Sequence, residues 1–215
     1  MKYLTSADIP RKHISIGKSS DKTAVEMSGN YFWNSETTTL PGIDIKVRKG
    51  EFVAIVGPVG CGKSSIISAI LGELQTENGS ITINGTVGYV PQQAWIQNMT
   101  VRENILFGTE YHEKAYESVI DGCCLRTDIN GFSSGDQTEI GEKGINMSGG
   151  QKQRLSVARA VYADADIYLL DDPISALDAH VGRDLFDKIL GPNGLLKSKT
   201  RILVTHATQY LNDAD

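Results

Sequence analysis

Cysteine is scarce in this chain: Cys61, Cys123 and Cys124 are the only three in 215 residues. Odd in number and unpatterned, they exclude a disulfide-stapled scaffold and fit a reducing compartment. No apolar run approaches the ~18–20 residues of a membrane span, and the first residues lack the apolar core of a signal peptide. Positive charge is not in excess either. Twenty-one Lys and Arg stand against 26 Asp and Glu, for a net charge of −5 and a pI near 5.4, so the electrostatic footprint of a nucleic-acid binder is missing. Internal repeats and low-complexity segments are absent. What remains is a chain long enough to bury one substantial core.

Gly57-Pro58-Val59-Gly60-Cys61-Gly62-Lys63-Ser64 matches G-x-x-x-x-G-K-[ST]. Before it, Phe52-Val53-Ala54-Ile55-Val56 reads as a buried parallel strand. After it, Ser64 to Leu71 places Ile66, Ile67, Ile70 and Leu71 on one helical face, with Gly72 as a stop. Between strand and helix, the glycines let backbone N–H groups converge on phosphate oxygens, and the helix N-terminus adds its partial positive charge. Lys63 is expected to reach the β- and γ-phosphates, and the Ser64 hydroxyl to ligate Mg²⁺, with Ser65 beside it. The competing reading is a plain Gly-rich turn.

Ile167-Tyr168-Leu169-Leu170 reads as a second buried strand, ending in Asp171-Asp172. Ligands of open parallel sheets sit at the carboxyl ends of strands, so Asp171 is placed to face the phosphate loop and hold Mg²⁺. Alone, such an Asp is a turn or cap residue; the loop at Gly57–Ser64 decides between the two. Met147-Ser148-Gly149-Gly150-Gln151 forms a third motif, with Ser148 as cap of a helix and Gly149 and Gly150 leaving its first N–H groups open.

In this order the motifs resemble the ATP-binding-cassette (ABC) family. Met147–Gln151 is similar to its Leu-Ser-Gly-Gly-Gln signature, with Met for Leu, a volume-conserving swap. The likeness runs from about Val25 to the end and is closest to the first nucleotide-binding domain of the multidrug-resistance-associated (subfamily C) exporters. Tyr89–Asn98, Arg102–Gly108, Thr138–Gly144, Asp171–Pro173, Ser175–Gly182 and Arg201–His206 carry it. The fold it implies is α/β: a P-loop core on a parallel sheet, an antiparallel β subdomain, and a helical subdomain at about 95–163.

The resemblance also assigns roles. Gln92 matches the loop glutamine that touches Mg²⁺ and the attacking water, and His206 the histidine that contacts the γ-phosphate. Trp33 sits where the family stacks an aromatic on adenine, although a tryptophan there could equally fill a core, and Tyr31 would share its face by alternation. Asp178 falls in the loop that meets a second cassette. Ser148, Gly149, Gly150 and Gln151 would cap the ATP of that partner in a head-to-tail dimer. The family's efficient members carry glutamate where this chain has Asp172, one methylene shorter. A general base must lie within about 2.6–3.2 Å of its water, so slow turnover is expected at this site.

Residues 1–22 are polar and broken by Pro10 and Gly17, and read as a linker to a membrane domain; 23–215 form the ATP-binding domain. Strands are expected near 25–33, 43–48, 52–56, 80–84, 86–90, 167–171 and 201–205, with a helix at 181–190. Asp215 follows His206 by nine residues, so the cassette reads as truncated at its C-terminus. The resemblance implies an ATP hydrolase at the cytoplasmic face of a membrane, powering export of organic anions or drug conjugates. It would use ATP and Mg²⁺ and work with transmembrane domains and a second cassette. Two alternatives remain open: a non-enzymatic ATP-sensing domain of a subfamily C channel or receptor, and a soluble ABC ATPase.

Overall fold

The computed structural model describes residues 14–16, 22–33, 38–141 and 147–215. The first sheet contains β1 (Ile14–Ile16), β2 (Thr23–Tyr31), β3 (Leu40–Arg48) and β5 (Ser80–Ile83), in the order β1-β5-β2-β3. β2 pairs antiparallel with β3 and β5, whereas β1 runs parallel to β5. The second sheet is wholly parallel, β4-β8-β7-β6. Its strands are β4 (Phe52–Ile55), β6 (Val87–Val90), β7 (Ile167–Asp171) and β8 (Thr200–Val204).

β7 and β8 are buried at every position, as expected for strands covered on both faces. Period-2 alternation divides their side chains between two cores. Ile167, Leu169, Ile202 and Val204 join Val25, Met27, Ile67 and Ile70 beneath the antiparallel sheet and α1 (Lys63–Leu71). Tyr168, Leu170 and Leu203 face the other way, toward the helices. Those are α2 (Val101–Leu106), α3 (Glu113–Gly122), α4 (Arg126–Gly131), α5 (Gly149–Tyr162) and α6 (Ala179–Leu185). Each fully buried Leu or Ile contributes about 1.5–3 kcal/mol, so the central strands hold both layers together. Among the described residues no helix is long and apolar enough to cross a membrane.

Three local expectations are adjusted. Ile14–Ile16, inside the expected linker, forms a strand, because Ile14 and its neighbours match the register of Ile81–Ile83; the rest of 1–21 lies outside the described residues, as does 142–144 of the Thr138–Gly144 match. The strand expected over 25–33 ends at Tyr31, where a register shift after Gly29 breaks the alternation. The helix expected over 181–190 runs from Ala179 to Leu185, then widens over Phe186–Leu190 into a turn closed by Gly191 N–H to Phe186 O at 2.8 Å.

Candidate functional site

The phosphate-loop motif lies between β4 and α1. Gly60 (φ 83°) and Gly62 (φ 93°) adopt left-handed backbone, which glycine takes without steric cost. A Cβ on Gly62 would sit 3.0 Å from Leu40 Cδ2, and one on Gly57 2.8 Å from Cys61 Sγ. Gly62 caps α1 without any side-chain bond, so the first N–H groups of that helix point to the loop interior with no side chain competing for them. Lys63 is buried beneath the loop, its Nζ donating to Gly57 O at 2.9 Å and Pro58 O at 2.8 Å.

Across the sheet, Asp171 closes β7. Ser64 Oγ donates to Asp171 Oδ1 at 2.9 Å, joining the two residues that the motifs assign to one metal. Burial pushes the Asp171 carboxyl above the usual carboxylate range, against the Ser64 hydrogen bond; the charge of Asp172 adds to the rise and that of Lys63 opposes it. Asp172 is also buried but held differently. Its backbone is left-handed (φ 48°), its N–H donates to Val204 O at 2.8 Å, and Thr205 Oγ1 donates to its Oδ1 at 3.4 Å.

These groups open on a cleft of about 390 Å³ lined by Val59, Gly60, Cys61, Gly62, Lys63, Ser64, Ser65, Gln92, Asp171, Asp172 and His206, with Thr39 and Val204. Trp33 is 51% exposed at its edge, its indole N–H aimed at Ser65 Oγ 3.4 Å away. Tyr31 does not share that face. Its ring is buried in the core, and its hydroxyl donates to Ser28 O and Ser80 O.

The third motif forms elsewhere. Ser148 caps α5 in a capping box, its Oγ accepting from Gln151 N–H at 3.2 Å while its own N–H donates to Gln151 Oε1 at 2.8 Å. Gln151 Nε2 also donates to Asp128 Oδ1 at 2.9 Å, tying the start of α5 to α4. None of Ser148, Gly149, Gly150 or Gln151 lines the Lys63 cleft. Gly149 lies instead on a second cleft of about 540 Å³ that shares Gln92 as a common wall. Asp178 is exposed at the start of α6, and its side chain caps nothing.

The structure thus brings Val59 to Ser65, Gln92, Asp171, Asp172 and His206 onto one cleft, leaves Gly57 off its lining with its carbonyl accepting from Lys63, and leaves Ser148 and Gly149 exposed elsewhere. Sequence reading missed Thr39, Val204 and Thr205. For Thr205 a signal existed, since it stands between an apolar strand and His206; Thr39 reaches the cleft only through the β2–β3 pairing.

Residues 40–175 match the family model for the ABC transporter. The chain belongs to the ABC transporter family. Its nucleotide-binding fold accounts for the loop, the Asp171 strand and the outward signature. It is 52% identical over 215 residues, its whole length, to ATP-binding cassette sub-family C member 2 of Homo sapiens. It is 55% identical over 189 residues, 87% of the chain, to ATP-binding cassette sub-family C member 3 of Homo sapiens. The member 3 protein of Rattus norvegicus is 51% identical over 209 residues, 96% of the chain. The chain spans only 14%, 12% and 13% of these relatives' lengths, respectively.

Proposed function

We propose that this chain is the ATP-binding domain of a subfamily C exporter, working at the cytoplasmic face of a membrane with transmembrane domains and a second cassette. The observation that carries this reading is the cleft that gathers Lys63, Ser64, Asp171, Asp172, Gln92 and His206 around one glycine-rich loop. Lys63 and the α1 amides hold the phosphates, and Trp33 at the rim stacks on adenine. The two oxygens of Ser64 and Asp171, 2.9 Å apart, suit a hard cation that keeps most of its ligands as phosphate and water. When bound, Mg²⁺ would neutralise phosphate charge; Ser64, Asp171 and Gln92 are the groups to hold it.

Asp172 and His206 flank the site of water attack. Asp172 is a short base on a constrained backbone, so hydrolysis here is slow, and a displacement near 1 Å costs on the order of a hundredfold. Ser148, Gly149, Gly150 and Gln151 serve a second cassette, with Asp178 in the facing loop. The substrates carried are organic anions or drug conjugates, the class that the resemblance to subfamily C exporters implies. The buried Asp172 also favours a second reading, an ATP-sensing domain without turnover of its own.

Calorimetric titration tests the binding half. Lys63→Ala should abolish MgATP binding, and Trp33→Ala should weaken ATP and ADP equally, by about 1–3 kcal/mol if stacking follows the base–aromatic scale. A Trp33→Ala variant with unchanged affinity would remove the adenine role from that residue.

A further inference from the structure

Arg159 is a buried cation on α5 with no carboxylate partner among the described residues. Its fork is spent on oxygens instead: Nε donates to Asn104 O at 2.8 Å, Nη2 to Asn104 Oδ1 at 2.9 Å, and Nη1 to Trp95 O at 3.0 Å. Its guanidinium lies 3.9 Å from the centroid of the Trp95 ring and 5.2 Å from that of Phe107. Burial lowers its pKa to about 10, so it remains charged at neutral pH. An apolar side chain of similar volume would fill this space without desolvating a cation. What it would not do is fix the Trp95 carbonyl and ring at once.

Two neighbours act on the same segment. Buried Gln153, also on α5, donates from Nε2 to Pro91 O at 3.2 Å. Fully buried Asn104 accepts from Gln97 N–H at 2.9 Å and donates to Gln97 O at 3.0 Å. Residues 91–97 belong to no helix or strand. This strap is pinned at Pro91, Trp95 and Gln97 by side chains, two of the three pins reaching Pro91 and Trp95 from the helix that Ser148 caps. Gln92 lies between those two points and forms a wall of both the nucleotide cleft and the cleft beside Gly149.

We propose that Gln153 and Arg159 are positioning residues for Gln92: they fasten the strap to the signature helix, so that Gln92 enters the nucleotide cleft at a position set by α5. The assignment rests on the reading of that cleft as a MgATP site. Neither residue touches the nucleotide; each acts through the backbone that carries Gln92.

The chain holds only two tryptophans, Trp33 and Trp95, which makes the strap observable. In a Trp33→Phe variant, Trp95 emission reports the strap alone. Saturating MgATP should shift it, ATP in EDTA should shift it far less, and adding Gln92→Ala should remove the difference. Gln153→Met, close in length but without a donor, should reduce the affinity gain that Mg²⁺ confers on ATP by about threefold to tenfold, the worth of one neutral hydrogen bond. Affinity in EDTA should be unchanged, and Arg159→Lys should show the same signature. A folded Gln153→Met with an unaltered Mg²⁺-dependent gain would overturn the proposal. So would Trp95 emission that ignores MgATP in the Trp33→Phe chain, a result that needs no core substitution. An unaltered chain that binds no ATP in either condition would overturn the cleft reading as well.

Discussion

Asp171 and Asp172 are consecutive carboxylates that the backbone treats differently. Asp171 continues β7, accepts from Ser64 and is pushed upward by burial; Asp172 turns the chain through φ 48° and meets the Thr205 hydroxyl. Because the folded chain raises the Asp171 pKa, it binds that proton more tightly than the unfolded chain. The associated stability is complete below the ordinary carboxylate value and is lost as pH rises through the folded one. Asp171→Asn keeps an oxygen for Ser64 and removes both the buried charge and its repulsion with Asp172. At neutral pH it should raise the nucleotide-free melting temperature by about 2–4 °C and cancel the extra stabilisation by MgATP. Scanning calorimetry with and without MgATP checks both, and a lower nucleotide-free melting point would contradict this account of the carboxylate. The phosphate loop was legible because its chemistry is local: eight consecutive residues supply the glycines, the lysine and the hydroxyl. Tyr31 and Trp33 were less so, since the bulge after Gly29 that separates their environments depends on pairing with β3.

At the scale of elements, the helical layer depends on a polar junction as much as on its apolar faces. Asp136, in the short helical turn 135–137, receives Arg102 Nε at 2.8 Å and Nη2 at 3.2 Å from α2, and the Tyr116 hydroxyl at 2.8 Å from α3. Burial pushes its carboxyl upward, but the hydrogen bonds from Arg102 and Tyr116 prevail and hold it below the usual range. A depressed pKa stabilises the fold above the unfolded value, and the contribution is lost as pH falls through the folded one. Asp136→Asn should therefore cost about 1–3 kcal/mol at pH 7, and urea unfolding should show the gap closing as pH drops into the carboxylate range. A gap independent of pH would assign the loss to packing. The start of α5 was readable from sequence, because Ser148 and Gln151 form a capping box three residues apart; Thr100 and Glu103 form another at α2, whereas α3 and α4 start after His112 and Leu125 with no side-chain cap. The wide turn at Phe186–Leu190 was not, since nothing in its apolar spacing distinguishes i+5 from i+4 bonding.

Over the whole molecule, one sheet separates two cores and carries the Lys63 cleft at the carboxyl ends of its strands, while the signature helix presents its start elsewhere. That separation follows from α5 packing against α2 and α3 on the far core, an arrangement that motif order alone implies only through family resemblance. On the reading we propose, its consequence is a division of labour: the chain would keep a short base, Asp172, and offer an intact cap, Ser148 to Gln151, to a second cassette. Gly149 makes this testable without damage to the fold, because a Cβ there meets nothing within 4 Å, and an aspartate in the first turn suits the helix dipole. Placed against a partner's γ-phosphate, the same carboxylate repels. The most direct test is steady-state ATP hydrolysis by this chain assembled with a competent second cassette, comparing Gly149→Asp with Asp172→Asn. Gly149→Asp should stop partner turnover while ATP still binds at Lys63, and Asp172→Asn should cost the pair far less; equal losses from the two substitutions would contradict the division of labour.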